Sequence, residues 1–447
     1  MADSTLRKRI WGWFFFDWAS QPYNTLLITF IFAPYVKELL GDGTAAQTAW
    51  GFGIGAAGVV IALLAPVLGA LADTGGNRLR WIWLFSLMYV VGAAGLWFAV
   101  PGDFNLIVIL TFFAIGMIGM EFATTFTNSM LPDLGTHDEI GRISGNGWAF
   151  GYAGGLVALV IMLIVFADNA DTGRTLAGLK PAFGLLDAEA REGTRFVGPL
   201  TAIWYALFMV PFFLFVRDPK AQKTPKGAVT LALIGLKTTL RHLPDDRSLF
   251  AYLGSAMFYR DALNGMYAFG GIYAAGVLGW DVQNVGIFGI IAIIAGAVAA
   301  WFGGMADSRF GSKPVIVTCI GVLTLVGVSI VLISRETMFG VPLAPDSALP
   351  DIAFYLIGAL IGAAGGVLQS ASRTMMVRQA NPARMTEAFG LYALSGKATS
   401  FLAPLLIGVT TYLTGSQQLG VSPVIGLFLI GLVLLLWVKP NGQRAAV

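Results

Sequence analysis

The chain has 447 residues, of which 56% are hydrophobic and only 12% charged, and its mean hydropathy is +0.74. Soluble domains carry about 25% charged residues, so this composition excludes a soluble globular protein, and a net charge of only +3 argues against nucleic acid as a partner. The single cysteine, Cys319, excludes an internal disulfide and sits in an apolar run as a packing residue.

Apolar runs of about 18 or more residues recur, each long enough to cross about 30 Å of hydrocarbon as helix. They lack the alternation of barrel strands. Twelve spans are predicted: Trp11–Tyr35, Trp50–Ala72, Trp81–Val100, Phe104–Met130, Ile143–Ala167, Gly198–Val216, Leu249–Val277, Val282–Ala306, Val315–Ile333, Ile352–Val377, Thr386–Thr414 and Val421–Val438. The fold expected is therefore all-α, with a six-helix bundle over 1–216, a linker over 217–248 and a second six-helix bundle over 249–447. Span 1 holds Asp17, Pro22 and Pro34 without a small-residue cleavage site, so it reads as a span and not a removable signal. Pro22 and Pro34 cannot donate to the carbonyls of Trp18 and Phe30, which marks span 1 as a weak helix.

Between spans 2 and 3 the run Gly69, Asp73, Gly76, Arg78 forms a charged hinge. Asp73 lies at the C-terminal, electrostatically wrong end of its own helix, so it needs another helix N-terminus or an arginine as partner. The pattern returns between spans 8 and 9 as Gly303, Asp307, Arg309 and Lys313, about half the chain later, which predicts two similar halves with a latch on each. The loop 168–197 is polar, with a short helix expected at Leu185–Arg191. In the linker, Val229, Leu233, Leu236, Leu240 and Leu243 fall near helical spacing around Lys237 and Arg241; this predicts an amphipathic helix on the membrane surface, with a plain linker as the alternative. On alternating sides of the spans, 19 Lys and Arg residues face 6, so both termini and both hinges are expected in the cytoplasm.

Charges inside spans are costly and mark a water-filled path or a partner. They fall on span 1 (Asp17), span 4 (Glu121), span 7 (Arg260, Asp261), span 10 (Arg373) and span 11 (Lys397). Each of the first four carries a polar face at helical spacing: Asp17, Gln21 and Asn24; Glu121, Thr124, Thr125 and Asn128; Asp261 and Asn264; Gln369, Ser372 and Arg373. Four such faces turned together would line a wet cavity between the halves. Blander readings stay open: Asp17 capping its helix at the interface, a Glu121–Arg373 ion pair that only fixes packing, and a structural Lys397.

The paired hinges resemble the loop motif of the major facilitator superfamily, although Gly311 in the second copy comes one position late. More specifically, Phe16-Asp17-Trp18-Ala19-Ser20-Gln21-Pro22-Tyr23, Ser144-Gly145 with Gly151-Tyr152, Gly366 through Arg373, Phe389-Gly390-Leu391-Tyr392 and Gly396-Lys397 resemble the vacuolar amino-acid effluxer family linked to autophagy and its bacterial relatives. Relatives tend to read Tyr-x-Asp-Gly in span 7, where this chain has Tyr259-Arg260-Asp261-Ala262. The resemblance implies a secondary transporter working by alternating access, with amino acids or related solutes as substrate and a proton or other ion as coupling partner. Asp17, Glu121, Asp261 and Arg373 would line the path, Arg373 or Arg260 would hold a substrate carboxylate, and Gln21, Asn24 and Asn264 would add hydrogen bonds. A monomer in a bacterial cytoplasmic membrane is expected, with no cofactor, no metal and no enzymatic activity. No phosphate-cradling Gly-x-x-x-x-Gly-Lys-Ser/Thr loop occurs, which argues against ATP drive. The rival readings are a lipid or drug exporter of the same fold and a non-transporting receptor.

Overall fold

A computed structural model describes residues 2–41, 43–75, 77–170, 172–218, 227–280 and 282–443. Gly76 of the first hinge and the linker lysines 220, 223 and 226 lie outside the described residues. Twelve rods follow one another: α1 (Ala2–Pro22), α2 (Gly43–Gly75), α3 (Arg78–Gly95), α4 (Leu106–Asn128), α5 (Ile140–Ile161), α6 (Val197–Phe208), α7 (Arg247–Val277), α8 (Val282–Phe310), α9 (Ser312–Val331), α10 (Leu349–Gln379), α11 (Met385–Ala398) and α12 (Ser422–Leu434). Ten of the described helices are long and apolar enough to cross a membrane; the two rods outside that set, α1 and α7, are the ones that carry Asp17 and the Arg260–Asp261 pair.

Buried apolar side chains form two large cores, one running from Trp13 to Val216 and the other from Leu249 to Val438. Large apolar side chains such as Phe52, Ile107, Leu325 and Leu436 point outward, as a lipid-facing surface requires. Where α5 of the first core crosses α8 of the second, Gly145 and Gly304 meet backbone to backbone. A Cβ on Gly145 would fall 2.5 Å from the Gly304 Cα, so only glycine permits this approach.

Several rods are broken where proline removes a donor. After Pro22, α1 widens into a π-helical turn, Tyr23–Phe30, and the chain restarts as Phe32–Leu40. Pro34 therefore lies in the first turn of a new helix, where no donor is needed, rather than inside one continuous span. The expected span Thr386–Thr414 is likewise two pieces. α11 stops at Ala398 and Leu402–Thr414 begins again, with Pro404 in its first turn.

At the end away from the termini, the expected helix at 185–191 does not form. Asp187 turns its own loop by accepting the Glu189 amide, and Arg191 adopts a left-handed φ of 52°; the helix there is Glu192–Arg195. Arg191 joins Asp168 and Glu38 at 2.6 Å each, fastening the loop to the start of the bundle. Thr337–Met338 and Val341–Pro342 make a small antiparallel hairpin before α10. The linker helix spans Ala228–His242. It rests Ala232 and Leu236 on Ala70 of α2, and its Gly235 carbonyl and Thr239 hydroxyl accept from Arg384 in the turn before α11.

Candidate functional site

Where α1, α4 and α5 face α10, one arginine joins all four. Arg373 donates to Asp17 at 3.0 Å, to the Asn128 side chain at 3.2 Å, and to the hydroxyl and carbonyl of Ser144 at 2.9 and 2.7 Å. Its guanidinium lies over the Trp13 ring, 4.5 Å from the centroid, with Trp148 on another side. The pair is nearly closed to solvent, with 4% of Arg373 and 14% of Asp17 exposed. A buried guanidinium with four acceptor groups and two ring faces is fully satisfied, so it holds the two sets of rods together.

A second ion pair crosses the same seam. Lys397, at the end of α11, meets Glu121 of α4 at 2.7 Å, and both remain partly open, 20% and 23% exposed. The anticipated alternative pairing of Glu121 with Arg373 is not made; each takes a different partner, because Arg373 is drawn down to Asp17. Arg260 sits near this second pair, stacked 4.3 Å over the Tyr392 ring and donating to the Tyr392 carbonyl. It does not bond its neighbour Asp261.

Asp261 points the other way, into the break of α11. One carboxylate oxygen accepts from the Ala403 amide at 2.9 Å, in the first turn of Leu402–Thr414; the other has no hydrogen-bond partner among the described residues, and the residue is 1% exposed. A carboxylate at a helix N-terminus is favourably placed. No Lys, Arg or His stands within ion-pair distance of it among the described residues.

The remaining polar-face residues are spread more widely. Gln21 packs against Gly155, Gln369 donates to Tyr152 at 3.3 Å, and Asn24 and Asn264 are exposed one to two turns beyond Asp17 and Asp261, away from the termini. Asn24 contacts Met120 sulfur at 3.5 Å.

The hinges differ from each other. Asp73 accepts the Thr386 and Glu387 amides at 3.2 and 2.8 Å, so it caps the N-terminus of α11 across the seam. A Cβ on Gly69 would lie 2.5 Å from the Thr386 carbonyl oxygen; glycine is what lets α2 come this close. Arg78 is buried within its own set of rods, bonded to Asp218 and Asp133 at 2.7 Å and to the Ser129 carbonyl at 2.8 Å. Asp307, expected to latch as Asp73 does, pairs instead inside its own set, with Arg378 at 3.1 Å and Ser312 at 2.9 Å. The bond across the seam passes to Ser308, whose hydroxyl accepts the Arg142 amide at 2.9 Å. Gly303 packs on Val367, Arg309 lies over Phe310, and Lys313 caps the Val438 carbonyl at 2.7 Å, so none of these three spans the seam.

Sequence reasoning did not single out Trp13, Trp148, Ser308 or Arg378. Ser308 had a signal, since it follows the hinge aspartate directly; Trp13 stands one helical turn before Asp17. Among the described residues no group of three or more His, Cys, Asp and Glu side chains could hold a metal ion.

The chain matches the family described as vacuole effluxer Atg22 like over residues 44–446. It is similar to YxiO of Bacillus subtilis, an uncharacterized MFS-type transporter, at 25% identity over 432 residues, 96% of this chain and 94% of that protein. Autophagy-related protein 22 of Cryptococcus neoformans var. neoformans is 25% identical over 317 residues, covering 68% of this chain and 50% of the fungal protein. The chain thus spans about half the length of that relative.

Among solved structures, the proton:xylose symporter XylE superposes with a TM-score of 0.71 at 13% identity over 100% of both chains. The transporter FucP, in the outward conformation, gives 0.69 at 15% identity over 96% of this chain and 97% of that one. At such identities the likeness is one of fold, the twelve-helix major facilitator fold. With a family match over nearly all of its length on that fold, the chain belongs to the Atg22-like effluxer family, and is a multi-pass membrane transporter rather than an enzyme.

Proposed function

We propose that the protein is a secondary active transporter of amino acids or closely related zwitterions, working by alternating access between the bundles 1–216 and 249–447. The observation that carries the substrate class is the Glu121–Lys397 pair: an anion and a cation 2.7 Å apart, one from each side of the seam, both partly open. An amino acid brings its own ammonium and carboxylate at similar spacing, so it can replace each partner for the other without leaving a charge unpaired. Arg260 adds a second cation for the carboxylate, and Asn24 and Asn264 offer hydrogen bonds on the open side. A sugar or an apolar drug has nothing to exchange for that pair.

Asp73 on the α11 N-terminus and Ser308 on Arg142 close the end that bears the termini, which the excess of Lys and Arg assigns to the cytoplasm. Opening that end would break these bonds and the Asp17–Arg373 lock, while the opposite end closes over the substrate. The coupling ion is a proton and Asp261 carries it: Asp17 and Glu121 each have a cation and both oxygens of Asp73 take backbone amides, whereas Asp261 has no cation and keeps one oxygen without a hydrogen-bond partner among the described residues. The host membrane is a bacterial cytoplasmic membrane.

The test uses purified protein in vesicles and three matched probes: an amino acid, the amine lacking its carboxylate, and the acid lacking its ammonium. Saturable uptake of the amino acid, at least about tenfold faster than of either single-charge analogue, is expected for one to two lost charge-assisted bonds. Equal uptake of all three would overturn the zwitterion assignment.

A further inference from the structure

A cavity of about 820 Å³ lies apart from the charged seam, between α7, α11, α12 and the linker helix. Its lining on α7 includes Arg247, Phe250, Gly254 and Met257, one helical face climbing from the first residue of the rod, with Ala251 and Leu253 beside it. Ten residues of helix cover about 15 Å, half of the roughly 30 Å hydrocarbon thickness. The groove is therefore one leaflet deep. α11 supplies Leu391, Leu394 and Ala398, the end of α12 and the turn after it supply Leu434 and Trp437, and the linker helix with the residue that ends it supplies Leu240 and Leu243.

Apart from Ser395 the walls are apolar, and the one charge is Arg247, at the headgroup end. Arg247 is exposed and makes no ion pair or hydrogen bond among the described residues. Lys237 and Arg241 of the linker helix, which supplies Leu240 to the lining, are also exposed. Of the two acids beside them, Asp246 is turned onto the Leu249 amide at 3.2 Å as the helix cap, and Asp245 faces solvent.

We propose that this groove binds one anionic phospholipid of the termini-side leaflet, its acyl chain against Gly254 and Met257 and its phosphate on Arg247. Both the depth and the charge select this occupant: a soluble anion would leave the apolar walls uncovered, and a zwitterionic lipid would bring its own headgroup cation up against Arg247. The site has a mechanical consequence. The linker helix rests on α2 through Ala232 and Leu236, and the same helix, with the residue that ends it, forms one wall through Leu240 and Leu243. A lipid in the groove glues that helix to α7 and α11, and so braces the closed end.

Native mass spectrometry of the delipidated full chain, titrated with phosphatidylglycerol, phosphatidylcholine or inorganic phosphate, tests this. The expected result is one phosphatidylglycerol retained per chain with a raised thermal midpoint, at least about tenfold weaker retention of phosphatidylcholine, and no effect of inorganic phosphate. Arg247→Gln, at an exposed position, should lower phosphatidylglycerol retention about tenfold. Gly254→Leu fills the groove; a Cβ there meets only Leu434, at an ordinary 3.5 Å, so the variant folds and should lose the lipid. Equal retention of the two lipids, stabilisation by inorganic phosphate alone, or unchanged retention in both variants overturns the proposal.

Discussion

Arg373 reaches from α10 across the seam to Asp17 on α1, 3.0 Å away, and takes Ser144 and Asn128 as further acceptors. This single side chain ties four rods, three from the N-terminal set and one from the C-terminal. Asp17→Asn leaves the guanidinium buried without its counter-charge, which typically costs about 3–5 kcal/mol. On the alternating-access proposal this bond is lost when the end opens, so the expected outcome is a shift toward the opposite conformation. Faster backbone hydrogen exchange around Ser144 and Arg373 in the variant would report it, and exchange identical to the unmodified protein would count against the lock.

The two hinge aspartates should behave differently when neutralised. Asp73→Asn removes charge from a helix N-terminus and weakens two amide bonds, an effect of about 1–2 kcal/mol that falls on the closed state. Its mark is faster exchange of the Thr386 and Glu387 amides with little change in thermal midpoint. Asp307→Asn instead strands Arg378, a buried cation within one bundle, and should lower the midpoint by the equivalent of about 3–5 kcal/mol. Equal effects of the two would mean that the hinges are equivalent after all.

Asp261→Asn keeps an oxygen for the Ala403 amide and removes the ionisable group. With a labelled amino acid in vesicles, an imposed proton gradient should accelerate uptake by the unmodified protein and leave the variant's rate where it is without the gradient. A variant that still responds to the gradient like the unmodified protein would remove Asp261 from the coupling.

At the start of α5, Glu139 accepts from the Thr136 amide at 3.0 Å and its hydroxyl at 2.9 Å, and the amide bond in particular holds its carboxyl below the usual 4.5. A depressed acid stabilises the fold above its unfolded pKa, and that contribution disappears as pH falls through the folded value. The Thr136 amide resonance should therefore titrate below pH 4.5, and Glu139→Gln should abolish that titration.

Length and hydropathy made the spans legible, and the dipole alone showed that Asp73 needs another helix N-terminus or an arginine as partner. Helical spacing could assemble faces such as Asp17, Gln21 and Asn24, but not choose partners across the seam. Whether Arg373 meets Glu121 or Asp17 depends on how far α10 slides along α4 and α1, which no local pattern encodes. The same limit hid the asymmetry of the hinges: Asp307 looks like Asp73 in sequence, and only the position of Arg378 behind it turns it inward. The break at Ile31 was partly legible through Pro22 and Pro34, since proline shows where a helix can restart but not that it will; the break at 399–401 was not anticipated, the run 386–414 being expected as one span.

The most direct measurement is labelled amino-acid counterflow in vesicles, comparing the unmodified protein with Glu121→Gln and Lys397→Met. If the zwitterion replaces the two ends of that pair, each single variant loses one charge-assisted contact of about 1.5–3 kcal/mol, and exchange should fall at least about tenfold in both. Exchange at the unmodified rate in either variant, with folded protein present, would contradict the account.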